Sequence, residues 1–173
     1  MEEIEDPTEK LHEQINEEVE EVYEKKEKWT LSVAISTALM AVFAAMAGLL
    51  AGHHSNEAVI DQIKSSDQWA FYQAKSIKAE IRALAPAGTT PKNGKTEDQV
   101  KQEEEEIKKT AEEHAKSSEF HLAKHIRFSR AVTLLQVSIA ISAVSILTRK
   151  RFMWMIGIII ALVGVGFFVS ALL

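Results

Sequence analysis

The sequence predicts an all-α membrane protein: three transmembrane helices with a long antiparallel helical hairpin projecting from the membrane. Three observations predict it. Residues 30–52, 131–148 and 152–173 carry no formal charge. Two long charged stretches, before and after residue 90, repeat apolar or small residues at three- and four-residue spacing, the mark of helix. Between those stretches Pro86-Ala87-Gly88-Thr89-Thr90-Pro91-Lys92-Asn93-Gly94-Lys95 reads as a loop.

The membrane assignment rests on length and charge. At ~1.5 Å per residue the last two runs span roughly 27 and 33 Å, against a bilayer core of about 30 Å. Arg149, Lys150 and Arg151 part them, and a cation at the centre of a membrane helix costs roughly 2.5–3.5 kcal/mol. These three residues therefore mark a turn at one membrane surface.

Charge is partitioned along the chain. Residues 1–29 hold 12 acids and 4 bases, and residues 53–130 hold 13 of each. No basic stripe offers a nucleic-acid footprint, so nucleic acid is not an expected partner. The chain has no cysteine, which excludes disulfides, thiolate metal sites and cysteine nucleophiles. The acidic start is unlike a cleaved signal peptide, so the first uncharged run is expected to remain as an anchor.

Taken in order, residues 1–29 form an acidic amphipathic helix. Asp6 is placed to cap it, Pro7 to occupy its first position, and Glu9 to close a capping box. Leu11, Ile15, Val19 and Val22 make a narrow apolar stripe, most simply that of a solvated helix packing weakly on a neighbour, with a docking surface for a cytoplasmic protein partner as the second reading. Lys25, Lys26, Lys28 and Trp29 mark the entry to lipid. Residues 30–52 form the first transmembrane helix, and Gly48 and Gly52 offer a small-xxx-small face for close helix approach.

Residues 53–130 form the extramembrane hairpin, with its loop at 86–96. Ile63, Ala70, Ala74, Ile77, Ile81 and Leu84 are expected to face Val100, Ile107, Ala111, His114, His121, His125 and Phe128. Nothing interrupts helix between residue 53 and the loop, or between the second arm and residue 131, so each arm should continue unbroken from its membrane segment. Residues 131–148 and 152–173 are the second and third transmembrane helices, joined by the basic turn 149–151. Gln136, inside the second, is expected to bond across to another helix.

A hairpin centred near residue 91 would bring Glu57 opposite His125 and Asp61 opposite His121. Two carboxylates and two imidazoles at its membrane-proximal base would suit zinc, iron or manganese. That geometry depends on register, because one residue of slip turns a helix face by about 100°. Hydrogen-bonded or exposed polar residues at a seam are the simpler reading, and neither a metal nor a cofactor is expected. Asp67 and His114 form a second candidate contact, of the kind that fixes register. Trp69, Phe71 and Tyr72 surround Ala70 and cannot all face one partner helix, which leaves an apolar face for self-association.

The segment Ser66-Asp67-Gln68-Trp69-Ala70-Phe71-Tyr72-Gln73-Ala74-Lys75-Ser76-Ile77-Lys78 resembles the signature of a bacterial membrane family, domain of unknown function 4337. The resemblance extends over nearly the whole chain. It implies a bacterial inner-membrane protein with an extramembrane helical hairpin, and it brings no activity, substrate or catalytic residue.

Orientation follows the positive-inside rule. Lys25, Lys26, Lys28, Arg149, Lys150 and Arg151 lie on one side; Lys64, Lys116, Lys124, Arg127 and Arg130 lie on the other. The density of Arg149, Lys150 and Arg151 places the N-terminus and turn in the cytoplasm and the hairpin in the periplasm. The expected function is that of an oligomeric scaffold rather than an enzyme. An accessory subunit of a larger membrane complex is the alternative, and a channel formed on oligomerisation is a third.

Overall fold

The computed structural model describes residues 7–84 and 97–173. Its order is α1 (Pro7–Ala83), α2 (Glu97–Thr148) and α3 (Arg151–Leu172). Among the described residues there is no strand. All three helices are long and apolar enough to cross a membrane. Pro7 opens α1, as its fixed φ and missing N–H suit a first helical position. Asp6, the loop 86–96, and the side chains of Glu9, Leu11, Ile15, Val22, Lys25 and Lys26 lie outside the described residues. Of the N-terminal stripe, Val19 is described and is exposed. As the unbroken spacing leads one to expect, α1 runs as a single helix through residues 29 and 52, and α2 through residue 130.

Contacts divide the chain into two compact units, residues 1–46 with 130–169, and residues 47–129 with 170–173. The first unit packs α1, α2 and α3 around Met40, Leu135 and Ala161, with Ala44, Ile139, Ile158 and Val165 against them. Phe43 meets Phe168 edge-on at 6.0 Å. Trp154 donates its indole N–H to Ser36 Oγ at 3.1 Å, and the Arg151 guanidinium lies 5.8 Å from the Trp29 ring.

In this unit α2 and α3 approach closely. Ser138, Ser142 and Ser145 are fully buried at three- and four-residue intervals. Serine hydroxyls can be satisfied by their own helix, and Ser138 Oγ donates to the Leu134 carbonyl while Ser145 Oγ donates to that of Ser142. A stripe of small residues results, and Gly157, Ala161 and Gly164 of α3 are buried against α2. A Cβ at Gly157 would lie 2.8 Å from Ser142 Oγ and 3.2 Å from the Ser138 carbonyl oxygen. This is the small-residue packing of membrane helices, and it falls on α3. The expected pair, Gly48 and Gly52, would bring a new Cβ within 4 Å of nothing. Gln136 is also corrected: it is exposed and does not bridge to a second helix.

The basic turn is tight. Arg149 has φ 55°, the left-handed conformation that often ends a helix. The Lys150 N–H reaches the Ser145 carbonyl at 3.2 Å and the Arg149 N–H reaches that of Ile146 at 3.3 Å, a Schellman pair that satisfies the last carbonyls of α2. α3 begins at Arg151, one residue earlier than the uncharged run.

In the second unit α1 and α2 lie side by side and run in opposite directions. His125 bonds the Ala51 carbonyl, Ser118 donates to that of Ala58, and Ser65 donates to that of Ala111. Lys75 pairs with Glu103 further along. Arg127 donates to the Ser170 carbonyl at 3.2 Å, placing a cation at the C-terminal end of α3.

Candidate functional site: a polar seam between the long helices

The seam of the second unit is built from small and polar residues. Ala58 and Ser65 lie one heptad apart on α1, and Ala111 and Ser118 lie one heptad apart on α2. The two helices meet so that each serine faces the other helix's alanine, at 2.9 Å for Ser65 to Ala111 and 2.8 Å for Ser118 to Ala58. All four residues are buried. Alanine lets the backbones approach, and that closeness brings each hydroxyl within reach of a carbonyl.

Between these layers sits Asp61, a buried carboxylate. Ser117 Oγ donates to its Oδ2 at 2.6 Å, His114 Nδ1 lies 3.3 Å from Oδ1, and Lys64 stands 3.9 Å away at the edge. The Ser117 hydrogen bond holds the Asp61 carboxyl below its ordinary value, with His114 and Lys64 adding to the effect and burial opposing it. The three residue types are those of a hydrolase triad, but the order differs. Activation of serine requires histidine between hydroxyl and carboxylate; here the carboxylate stands between them and takes the serine proton's hydrogen bond directly. The arrangement joins the two helices and sets Ser117 against a carboxylate rather than an imidazole.

Nearer residue 51, His54 and His121 place their Nδ1 atoms 2.9 Å apart, and His54 stacks on Phe128 at 5.6 Å. Burial, first, and then the charges of His121, His53 and Lys124 hold the His54 imidazole below its ordinary pKa, while Glu57 opposes them.

These contacts correct the expected register. A hairpin centred near residue 91 makes the numbers of facing residues add to about 182; the observed pairs 51/125, 54/121, 58/118 and 65/111 add to 175 or 176. Glu57 therefore does not face His125, nor Asp61 His121. His125 caps onto a backbone carbonyl, His121 meets His54, and His114 meets Asp61 rather than Asp67. Among the described residues no three His, Asp or Glu side chains converge as metal ligands.

The face of α1 is corrected as well. Val100, Ile107, Ala111, His114, His121, His125 and Phe128 do line the seam side of α2, buried or half-buried. On α1 the expected stripe is turned outward: Ile63 is 56% exposed, Ile77 56%, Ile81 64% and Leu84 86%, with Ala70 and Ala74 exposed between them. Residues 51, 54, 58, 61, 65, 72 and 75 hold the seam instead. Of the aromatic cluster, Tyr72 is half-buried and meets Trp69 edge-on at 5.7 Å, while Phe71 is exposed beneath the Lys75 ammonium. The two serine–alanine layers and the buried Asp61 are what sequence reasoning missed. Their signal was present as the seven-residue Ala-to-Ser spacing on both arms.

Fold and seam together define a class: all-helical chains with three segments fit to cross a membrane, two of them extended into a polar helix pair. A family model described as Domain of unknown function (DUF4337) matches residues 29–173, and the chain belongs to that family. Searches of curated proteins and of solved structures each returned no match.

Proposed function

We propose that this protein is a three-pass protein of the bacterial inner membrane that assembles with itself as a structural scaffold. The N-terminus and the Arg149, Lys150, Arg151 turn lie in the cytoplasm, and the α1/α2 pair of the second unit stands in the periplasm as a hairpin. One observation carries the reading: the water-side part of α1 leaves Ile63, Phe71, Ile77 and Ile81 exposed while it packs on α2 through alanine and serine. Exposed apolar patches of this extent on a polar segment mark interaction surfaces. The seam itself supports a mechanical role, because its hydroxyls, imidazoles and carboxylate are engaged with each other or with backbone.

The alternative is an accessory subunit that binds a different chain. Val19 and Tyr23, both exposed on the acidic N-terminal part of α1, support it. Mass measurement of protein extracted gently from its own membrane separates the two: a discrete homo-oligomer supports the scaffold, a stoichiometric foreign chain supports the accessory subunit, and a clean monomer defeats both. A reporter fused at Gly94 tests the topology, and cytoplasmic activity there would invert it.

A further inference from the structure

We infer that His54 and His121 form an acid-sensitive latch across α1 and α2: a second proton on the pair breaks their contact and loosens the seam between Ala51 and Ala58, while the neighbouring layer of Asp61 and His114 holds shut. The two Nδ1 atoms stand 2.9 Å apart, and both rings are half-buried. At that distance one Nδ1 carries a hydrogen and the other accepts it.

Ring chemistry sets the response to acid. The donating ring is bare at Nε2, so a first proton adds there and leaves the hydrogen bond in place with a charged donor. The accepting ring already carries its hydrogen on Nε2. A second proton has only the accepting Nδ1 to occupy, so the bond breaks and two cationic N–H groups face each other. His54 also stacks on the buried Phe128 ring at 5.6 Å, which ties movement of the imidazole to the packing of the seam.

The surroundings oppose that second proton. His121 and Lys124 of α2 and His53 and Glu57 of α1 act on His54, three groups that are cationic in acid against one carboxylate. Burial first, and then those cations, hold its imidazole below the ordinary 6.5. Of the other α2 groups at this level, His125 is turned to the Ala51 carbonyl and Arg127 to the Ser170 carbonyl of α3.

The adjoining contacts respond differently, which confines the loosening. One heptad along both helices, from 54 to 61 and from 121 to 114, the pair becomes Asp61 and His114, 3.3 Å apart. The Ser117 hydrogen bond holds the Asp61 carboxyl below its ordinary 3.8, so it is ionised at pH 5, where a proton on His114 sets a cation against it. Acid therefore strengthens this layer and weakens the one about 10 Å away, at ~1.5 Å per residue. The bonds from Ser118 to Ala58 and from Ser65 to Ala111 contain no titratable group. His125 donates its Nδ1 hydrogen to the Ala51 carbonyl and keeps that bond when Nε2 is protonated.

The chain has no cysteine, so pairs of spin labels can be placed on the full-length protein, diluted with unlabelled chains to silence signals between copies. Asn56→Cys with Leu122→Cys reports on the latch, and Ser66→Cys with Glu112→Cys on the Asp61 layer; all four positions are exposed. Between pH 8 and pH 5 the first distance distribution should broaden and lengthen reversibly, and the second should stay as it is. His54→Gln and His121→Gln each keep a hydrogen-bonding group without the titration, and each should hold the first distribution in its pH 8 form. His53→Gln, at the exposed neighbour, should open as the parent does. A first distribution identical at the two pH values, one that opens equally in both seam variants, or equal broadening of the two label pairs would overturn the latch.

Discussion

His54 and His121 present their Nδ1 atoms to each other at 2.9 Å across α1 and α2. One nitrogen must then carry the hydrogen and the other accept it. Protonating both rings sets two N–H groups and two charges face to face, beside Lys124. Burial and the neighbouring cations hold the folded-state pKa of His54 below the ordinary 6.5. The sign follows by linkage: the unfolded chain binds the proton more readily, so the contribution is present above pH 6.5 and is lost as the pH falls from there toward the lowered value. Thermal midpoints measured from pH 8 to 5 should therefore decline below 6.5, and His54→Gln should flatten that part of the curve. An unchanged slope in the variant would refute the pairing.

Asp61 titrates in the opposite sense. Its carboxyl is held low chiefly by the Ser117 hydroxyl, so the ionised form stabilises the fold above the ordinary carboxylate value of 3.8, and that contribution disappears as the pH falls through the lowered one. Asp61→Ala removes the acceptor of the half-buried Ser117 hydroxyl and the partner of His114, and should lower stability. Asp61→Asn retains an acceptor for Ser117 and should cost less. Denaturant unfolding of the three proteins in one detergent checks the order; an alanine variant as stable as the parent would show that the bond contributes nothing.

The glycines make a sharper contrast. Gly157→Ala forces a methyl to 3.2 Å from the Ser138 carbonyl oxygen, and that oxygen belongs to a helix backbone that cannot step aside. Overpacking of this kind costs about 1–3 kcal/mol. Gly48→Ala and Gly52→Ala meet nothing within 4 Å and remove a helix-weakening glycine, so each should stabilise the isolated chain by about 0.5–1 kcal/mol. If Gly48 and Gly52 serve contact between copies, the same two substitutions weaken assembly while raising the chain's thermal midpoint. Midpoint and native mass, measured on the same samples, read the two effects separately.

How far the fold was legible depended on which force decides each contact. Three uncharged runs and unbroken helical spacing are properties of the chain alone, and the helices follow them. The turn-forming composition of residues 86–96 predicts the direction of pairing but not its register, because the seam is held by hydroxyls and alanines that carry little hydropathy. Ranking by hydrophobicity therefore selected Ile63, Ile77 and Ile81 for the partner face, where close backbone approach selects Ala58, Asp61 and Ser65. The same preference for large residues directed attention away from Ser138, Ser142 and Ser145. Once the register is known, the seven-residue echo of Ala58 and Ser65 in Ala111 and Ser118 identifies the seam.

The turn between α2 and α3 offers the last test. Arg149 adopts φ 55°, where a side chain crowds its own carbonyl, and the Ser145 and Ile146 carbonyls are capped only if it does so. A non-glycine residue in this conformation carries about 1–2 kcal/mol of strain. Arg149→Gly should relieve it and raise the thermal midpoint. Arg149→Val should lower the midpoint, because a β-branched side chain tolerates positive φ least of all. Both variants remove the same charge, so the difference between them isolates the backbone. Lys150 and Arg151 remain in both, and the reporter at Gly94 should read the same topology in each. If the two variants unfold together, the left-handed cap contributes nothing to the stability of the turn.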